Sequence, residues 1–151
     1  METKKNDCCN PQFFTEDTCS ICKQKAKDVS EITLSHMIKK EYQLKMESLN
    51  GFYFCKTSNC EVVYFKGTET IKQDNLNKEI GLKDWANPST VCYCFNWTKE
   101  KMNEEILVGG KTTAIKDISS KMSTDKCECE INNPSGKCCL KDVKQTIKEL
   151  I

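Results

Sequence analysis

The stretch CECEINNPSGKCC, residues 127–139, packs Cys127, Cys129, Cys138 and Cys139 around an Asn133-Pro134-Ser135-Gly136 turn. Directly after it, Leu140, Val143, Ile147 and Leu150 recur at helical spacing and run to the C-terminus. So many thiols beside a turn serve either as a disulfide staple or as soft ligands for a metal. The choice decides the fold, because a small unit with a modest core needs one or the other.

The rest of the chain favours metal. Twelve cysteines lie in 151 residues. The N-terminus METKKNDCCNPQFF has lysines but neither an apolar central segment nor a small-residue cleavage site, so no export signal is expected. A cytoplasmic location follows as the expectation, and there such cysteine density points to metal rather than to bridges. Hydrophobic residues make up 38% and mean hydropathy is -0.60, so the core is small. Lys+Arg total 23 against 22 Asp+Glu. Charges this balanced give no electrostatic footprint for nucleic acid or an anionic membrane. No apolar run approaches the roughly 20 residues needed to cross a bilayer, so membrane insertion is not expected.

The cysteines fall into groups: Cys8-Cys9, Cys19/Cys22, Cys55/Cys60, Cys92/Cys94 and the opening four. After TCSICKQK, the segment SEITLSHMIKKEY places Leu34, Met37, Ile38 and Tyr42 at helical spacing. GFYFC and CEVVYF read as short strands flanking the polar turn KTSN. Residues 67–90 are polar and read as a connection with at most one weak strand. From Val91 the pattern turns helical. Thr98 is a plausible N-cap for TKEKMNEEIL, Gly109-Gly110 ends that helix, and Thr112 or Thr113 opens another with Ile115, Ile118 and Met122 on one face. The expected fold class is α+β. A zinc-binding hairpin-plus-helix subdomain with its connecting segment occupies residues 1–90, and a helical subdomain occupies 91–151.

In the first half, the Cys19-Ser20-Ile21-Cys22 knuckle and the pair Cys55 and Cys60 at the hairpin turn can close a tetrahedron around Zn(II). Four protein ligands leave no position for water, so such a zinc is structural. The bland alternative is four small buried hydrophobes. In the second half, VCYC sits just ahead of a helix start, and an extended Cys-x-Cys points both sulfurs the same way. Cys138-Cys139 open the last helix, where unpaired backbone N–H groups favour a negatively charged iron–sulfur cluster.

Cys-x-Cys, two short helices, a further cysteine and a cysteine opening a final helix resemble the bacterioferritin-associated ferredoxin domain. The later C-x2-C of that domain is replaced here by Cys-x-Cys, a turn and Cys-Cys. Nearly the whole chain, through its early CC, TCSIC, FYFC with CEVVYF, VCYCF and CEC with NPSGKCCL, resembles the N-terminal zinc and 2Fe-2S domain of CopZ-type copper chaperones. The M-x-C-x-x-C copper motif of that family's following domain is absent from these residues. The resemblance implies a 2Fe-2S cluster on Cys92, Cys94, Cys127 and Cys139, with Cys138 and Cys129 as alternates for the fourth ligand. Cys8 and Cys9 are candidate thiols for Cu(I).

The implied function is one-electron transfer and copper handling, including reduction of Cu(II) to Cu(I) before transfer to a copper-trafficking or redox partner. It implies no enzyme in the ordinary sense and no catalytic residue. The alternatives are a structural interaction module whose thiolates all bind zinc, and an iron–sulfur carrier or sensor. His36, the lone histidine, reads as a helix-surface residue and cannot by itself build a catalytic triad. Trp97 and Phe95 are packing residues that would shield a cluster. Gly109-Gly110-Lys111-Thr112 lacks the upstream glycine and buried strand of a phosphate loop.

Overall fold

A computed structural model describes residues 16–124 and 128–151. The first half is built on a four-stranded antiparallel sheet in spatial order β1 (Lys27–Asp28), β2 (Tyr53–Phe54), β3 (Val62–Lys66) and β4 (Glu69–Lys72). The two aromatic runs pair as expected, with Tyr53 opposite Phe65 and Phe54 opposite Tyr64. Residues 67–90 supply β4 and then a 3-10 turn over Gln73–Asn75.

Strand β3 is buried on both sides. Val62, Val63, Tyr64 and Phe65 are all inaccessible to solvent. Val62 and Phe65 pack with Cys19, Cys55 and Cys60. Val63 and Tyr64 join a larger core with Leu34, Met37, Ile38, Phe52 and Ile71. An irregular register between Val62 and Tyr64 lets two consecutive residues serve one core. By area, each such large side chain contributes about 1.5–3 kcal/mol when buried.

The expected single helix over residues 30–42 is two pieces. α1 (Glu31–Met37) starts at Ser30, whose hydroxyl accepts from the Thr33 amide, and α2 (Lys40–Gln43) follows after a break. Ile38 is extended, at φ -86 and ψ 135, and bridges to Leu76. Tertiary pairing with the loop after β4 therefore overrides the helical periodicity at that point.

The second half begins with a hairpin of β5 (Thr90–Cys92) and β6 (Trp97–Thr98), closed by a turn in which Asn96 takes φ 57. Three helices follow the expected order: α3 (Lys99–Gly109), α4 (Ala114–Thr124) and, after the one-turn α5 (Cys129–Asn132), α6 (Leu140–Leu150). Thr98 caps α3 by accepting from the Lys101 amide at 3.0 Å, and Gly110 ends it in the left-handed conformation at φ 83. The start of α4 is held by Glu105, which accepts from the Thr113 amide at 2.7 Å. The apolar face of α6, with Val143 at its centre, packs with Trp97, Met102, Ala114 and Ile118 around Cys92, Cys129 and Cys139. The first half thus has a larger aromatic and aliphatic core and a smaller one lined by cysteines, and the second half has a single core lined by cysteines. Among the described residues no helix is long and apolar enough to cross a membrane.

Candidate metal centres

The first centre is assembled from two turns. In the knuckle after residue 18, the Lys23 amide donates to the Cys19 carbonyl at 2.9 Å, and the Cys19 amide donates to Gln24 at 3.0 Å. Lys23 takes φ 64 to let the chain turn back. In the hairpin turn, the Cys55 amide donates to Val63 at 2.8 Å and the Cys60 amide to Thr57 at 3.1 Å. These bonds aim all four sulfurs inward. The Sγ atoms of Cys19, Cys22, Cys55 and Cys60 lie within 4.8 Å of one another. Cys19 and Cys60 are 4.0 Å apart, and Cys22 and Cys55 are 3.6 Å apart.

A tetrahedral Zn(II) with Zn–S of about 2.3 Å requires sulfurs separated by about 3.8 Å. The quartet fits that spacing, and its four members are reduced thiols. Cys19, Cys55 and Cys60 are buried and Cys22 is partly exposed, so the site is nearly closed to water. Burial opposes ionisation of Cys22. Hydrogen bonds from the Thr57 hydroxyl, the Gln24 backbone and the thiols of Cys55 and Cys19 outweigh it and lower the pKa to about 7. Burial pushes Cys55 up to about 12 and also raises Cys60.

Beside this quartet lies Lys83, only 1% exposed. Its ammonium donates to the carbonyls of Thr57 and Val62, each at 2.7 Å. It pins both ends of the turn that carries Cys60, and its charge favours the Cys55 thiolate. No sequence pattern marks Lys83, because its partners are backbone carbonyls.

The second centre gathers at the junction of the β5–β6 hairpin with α5 and α6. Cys92 ends β5 and Cys94 lies in the hairpin turn, so the Cys-x-Cys pair sits in a tight reversal rather than an extended loop. The Cys94 and Cys129 sulfurs are 3.8 Å apart. Cys139, at the N-cap of α6, interacts through its sulfur with both Cys129 and Cys92. Those hydrogen bonds, together with burial, push the Cys139 thiol strongly up, while its bond to Cys92 brings that thiol down to about 7. Burial raises Cys94. The Asn132 side-chain amide donates to the Cys94 sulfur at 3.7 Å. The donor set is four soft sulfurs in an apolar core, suited to iron–sulfur chemistry or a soft metal.

Of the cluster ligands expected from sequence, Cys92, Cys94 and Cys139 come together here, whereas Cys127 lies outside the described residues. Cys129, an alternate for the fourth ligand, joins the group together with Cys139. Cys138 is exposed and opens into a cleft of about 580 Å³ between the halves. Cys8 and Cys9 also fall outside the described residues. Buried Asn133 organises the turn before Cys139, with its side-chain amide donating to the Lys137 carbonyl at 2.7 Å and its own carbonyl accepting from the Gly136 amide at 2.8 Å. His36 is exposed and its ring meets the Ile32 carbonyl, as for a helix-surface residue. Trp97 is buried in the second core with its indole N–H donating to Asp117 at 2.8 Å, and Phe95 packs against the same core.

Residues 16–77 match the family model described as a zinc-binding domain, of the CopZ type. Over 121 residues the chain is 30% identical to the copper chaperone CopZ of Archaeoglobus fulgidus, a match taking in 80% of this chain and 57% of that protein. The chain thus spans little more than half the length of that relative. The X-ray structure of the Archaeoglobus fulgidus CopZ N-terminal domain is similar with a TM-score of 0.69 at 29% identity, over 85% of this chain and 95% of that one. Residues 16–77 are thus similar to the CopZ-type zinc-binding domain, within a chain that shares the fold of the N-terminal domain of that archaeal chaperone.

Proposed function

We propose that this chain is a cytoplasmic zinc- and 2Fe-2S-containing protein for one-electron transfer and copper handling. Cys19, Cys22, Cys55 and Cys60 hold the zinc, which is structural because protein fills every ligand position. Cys92, Cys94 and Cys139 hold the cluster, and Cys129 completes the set from its position against Cys94. The observation that carries this reading is the spacing of the two sulfur groups. Among the described residues, only the first quartet draws its sulfurs within 4.8 Å of one another, as one ion requires. The second is wider while still built only of sulfur, as a binuclear cluster requires.

When bound, such a cluster supplies one electron at a time, the chemistry needed to convert Cu(II) cargo to Cu(I) before transfer to a copper-trafficking or redox partner. The chain's own residues keep water out through Trp97 and Phe95, donate a hydrogen bond to the Cys94 sulfur through Asn132, and set Cys139 at the positive end of α6.

Protein purified after growth with iron should be reddish-brown, bleach with dithionite, and contain iron and labile sulfide in equal amounts beside zinc. The reduced protein should give an EPR signal. A colourless protein with zinc at both centres would replace this reading with the interaction module. Cu(I) titration separates copper handling from a carrier or sensor role. Stoichiometric binding lost in a Cys8→Ser/Cys9→Ser variant supports the copper reading, and no binding by the unaltered chain ends it.

A further inference from the structure

The segment that carries Cys129 and Cys139 is held by the zinc half. The Thr33 hydroxyl, on α1 and fully buried, donates to the Glu130 carbonyl at 2.6 Å. The Ser30 hydroxyl reaches the Glu130 carboxylate at 3.4 Å. Lys78 donates to the Asn132 carbonyl at 3.2 Å. The Tyr64 hydroxyl, from the middle of β3, donates to the Pro134 carbonyl. Gly136, at φ 73, lies so close to α1 that a Cβ there would come within 2.6 Å of the Thr33 hydroxyl.

Taken alone, this segment has little to order it. α5 is a single turn, and helices this short do not persist in water without tertiary partners. Its partners are themselves tied to zinc. Tyr64 is flanked in β3 by Val63 and Phe65, and Phe65 with Val62 packs against Cys19, Cys55 and Cys60. Residues 62–65 therefore touch the thiolate quartet on one side and the Cys129–Cys139 segment on the other. The far end of the relay is the Asn132 amide on the Cys94 sulfur.

We infer that the zinc half is the template for the second centre: filling the Cys19/Cys22/Cys55/Cys60 site orders residues 129–139 through Thr33, Tyr64 and Lys78, and so precedes assembly of the Cys92/Cys94/Cys129/Cys139 site. The inference rests on the proposed occupants of the two centres. The coupling is an order–disorder equilibrium of one segment, and by linkage it is reciprocal, so a filled second centre also tightens retention of zinc. Thr33, Tyr64 and Lys78 are positioning residues, since none supplies a sulfur to either centre.

Thr33→Val and Tyr64→Phe keep side-chain shape and remove only the hydroxyl. The test uses the full chain loaded with zinc but not iron, with timed alkylation read by mass spectrometry. Cys129 and Cys139 should label about fivefold to tenfold faster in either variant than in the unaltered chain, the size expected from losing one buried hydrogen bond. Cys19 and Cys55 should stay protected, and Thr33→Ser should restore slow labelling. On reconstitution with iron and sulfide, both variants should load less iron at unchanged zinc content. Unchanged labelling in both variants, or labelling that rises equally at Cys19 and Cys55, overturns the inference. Should the unaltered chain take up no iron, the cluster reading falls, while the labelling comparison still decides this one.

Discussion

Lys83 carries an ammonium into an interior already crowded with cysteine sulfur, and two backbone carbonyls hold it there. A tetrathiolate zinc site bears net negative charge, so a fixed cation beside it stabilises the filled state and orients the Cys60 turn. Lys83→Met keeps the stem and removes the charge. Zinc affinity measured by chelator competition should fall about tenfold to a hundredfold, the usual cost of losing a partner around a metal site. Protons compete with zinc for the same sulfurs. Because Cys55 sits near 12 and Cys60 is also raised, both must give up protons on binding at neutral pH. Apparent zinc affinity should therefore rise between pH 6 and pH 8, and the same competition assay showing a flat profile would contradict the burial argument. The gathering of four thiols at the first centre was legible in the sequence, because a C-x2-C knuckle and a cysteine pair around a polar turn announce themselves by spacing. Lys83 was not, since a polar side chain satisfied by backbone carbonyls leaves no periodic trace.

At the level of elements, strong local signals agreed with the outcome. Thr98 capped α3, the glycine pair ended it, and Leu140, Val143 and Ile147 gave α6 its buried face. Thr98→Ala should lower stability to chemical denaturation by about 1 kcal/mol with little change in denaturant sensitivity. The first helix was legible only in part. Its periodicity runs through Ile38 and Tyr42, but the extended backbone at Ile38 pairs with Leu76, a residue far along the chain. The two-residue β1 and one-turn α5 were equally hidden, because elements that short exist only through their partners. Gly81 marks another such place: its amide donates to the Tyr93 hydroxyl at 2.7 Å, and any side chain there would collide with the Thr90 backbone. Gly81→Ala should accordingly disturb the β5–β6 hairpin, seen as amide chemical-shift changes at residues 90–98.

Across the molecule, two cores with separate sulfur linings were expected from composition, yet their interlocking was not. The contacts joining the start of α1 to Glu130 span about a hundred positions of sequence and that joining Tyr64 of β3 to Pro134 spans 70, and no local pattern encodes them. Stripping zinc with a strong chelator should therefore lower the thermal midpoint and also release side-chain order around α6, read by the methyl resonances of Val143 and Leu150. Loss confined to residues 16–77 would show the halves to be independent. Strand β3 has a broader consequence. Most strands of a small sheet have one face that tolerates change, which gives drift an outlet at every second position. From Val62 to Phe65 there is no such outlet. A saturation-mutagenesis scan of this chain should return four adjacent intolerant sites there, an unbroken block in place of the alternating stripe left by an ordinary surface strand.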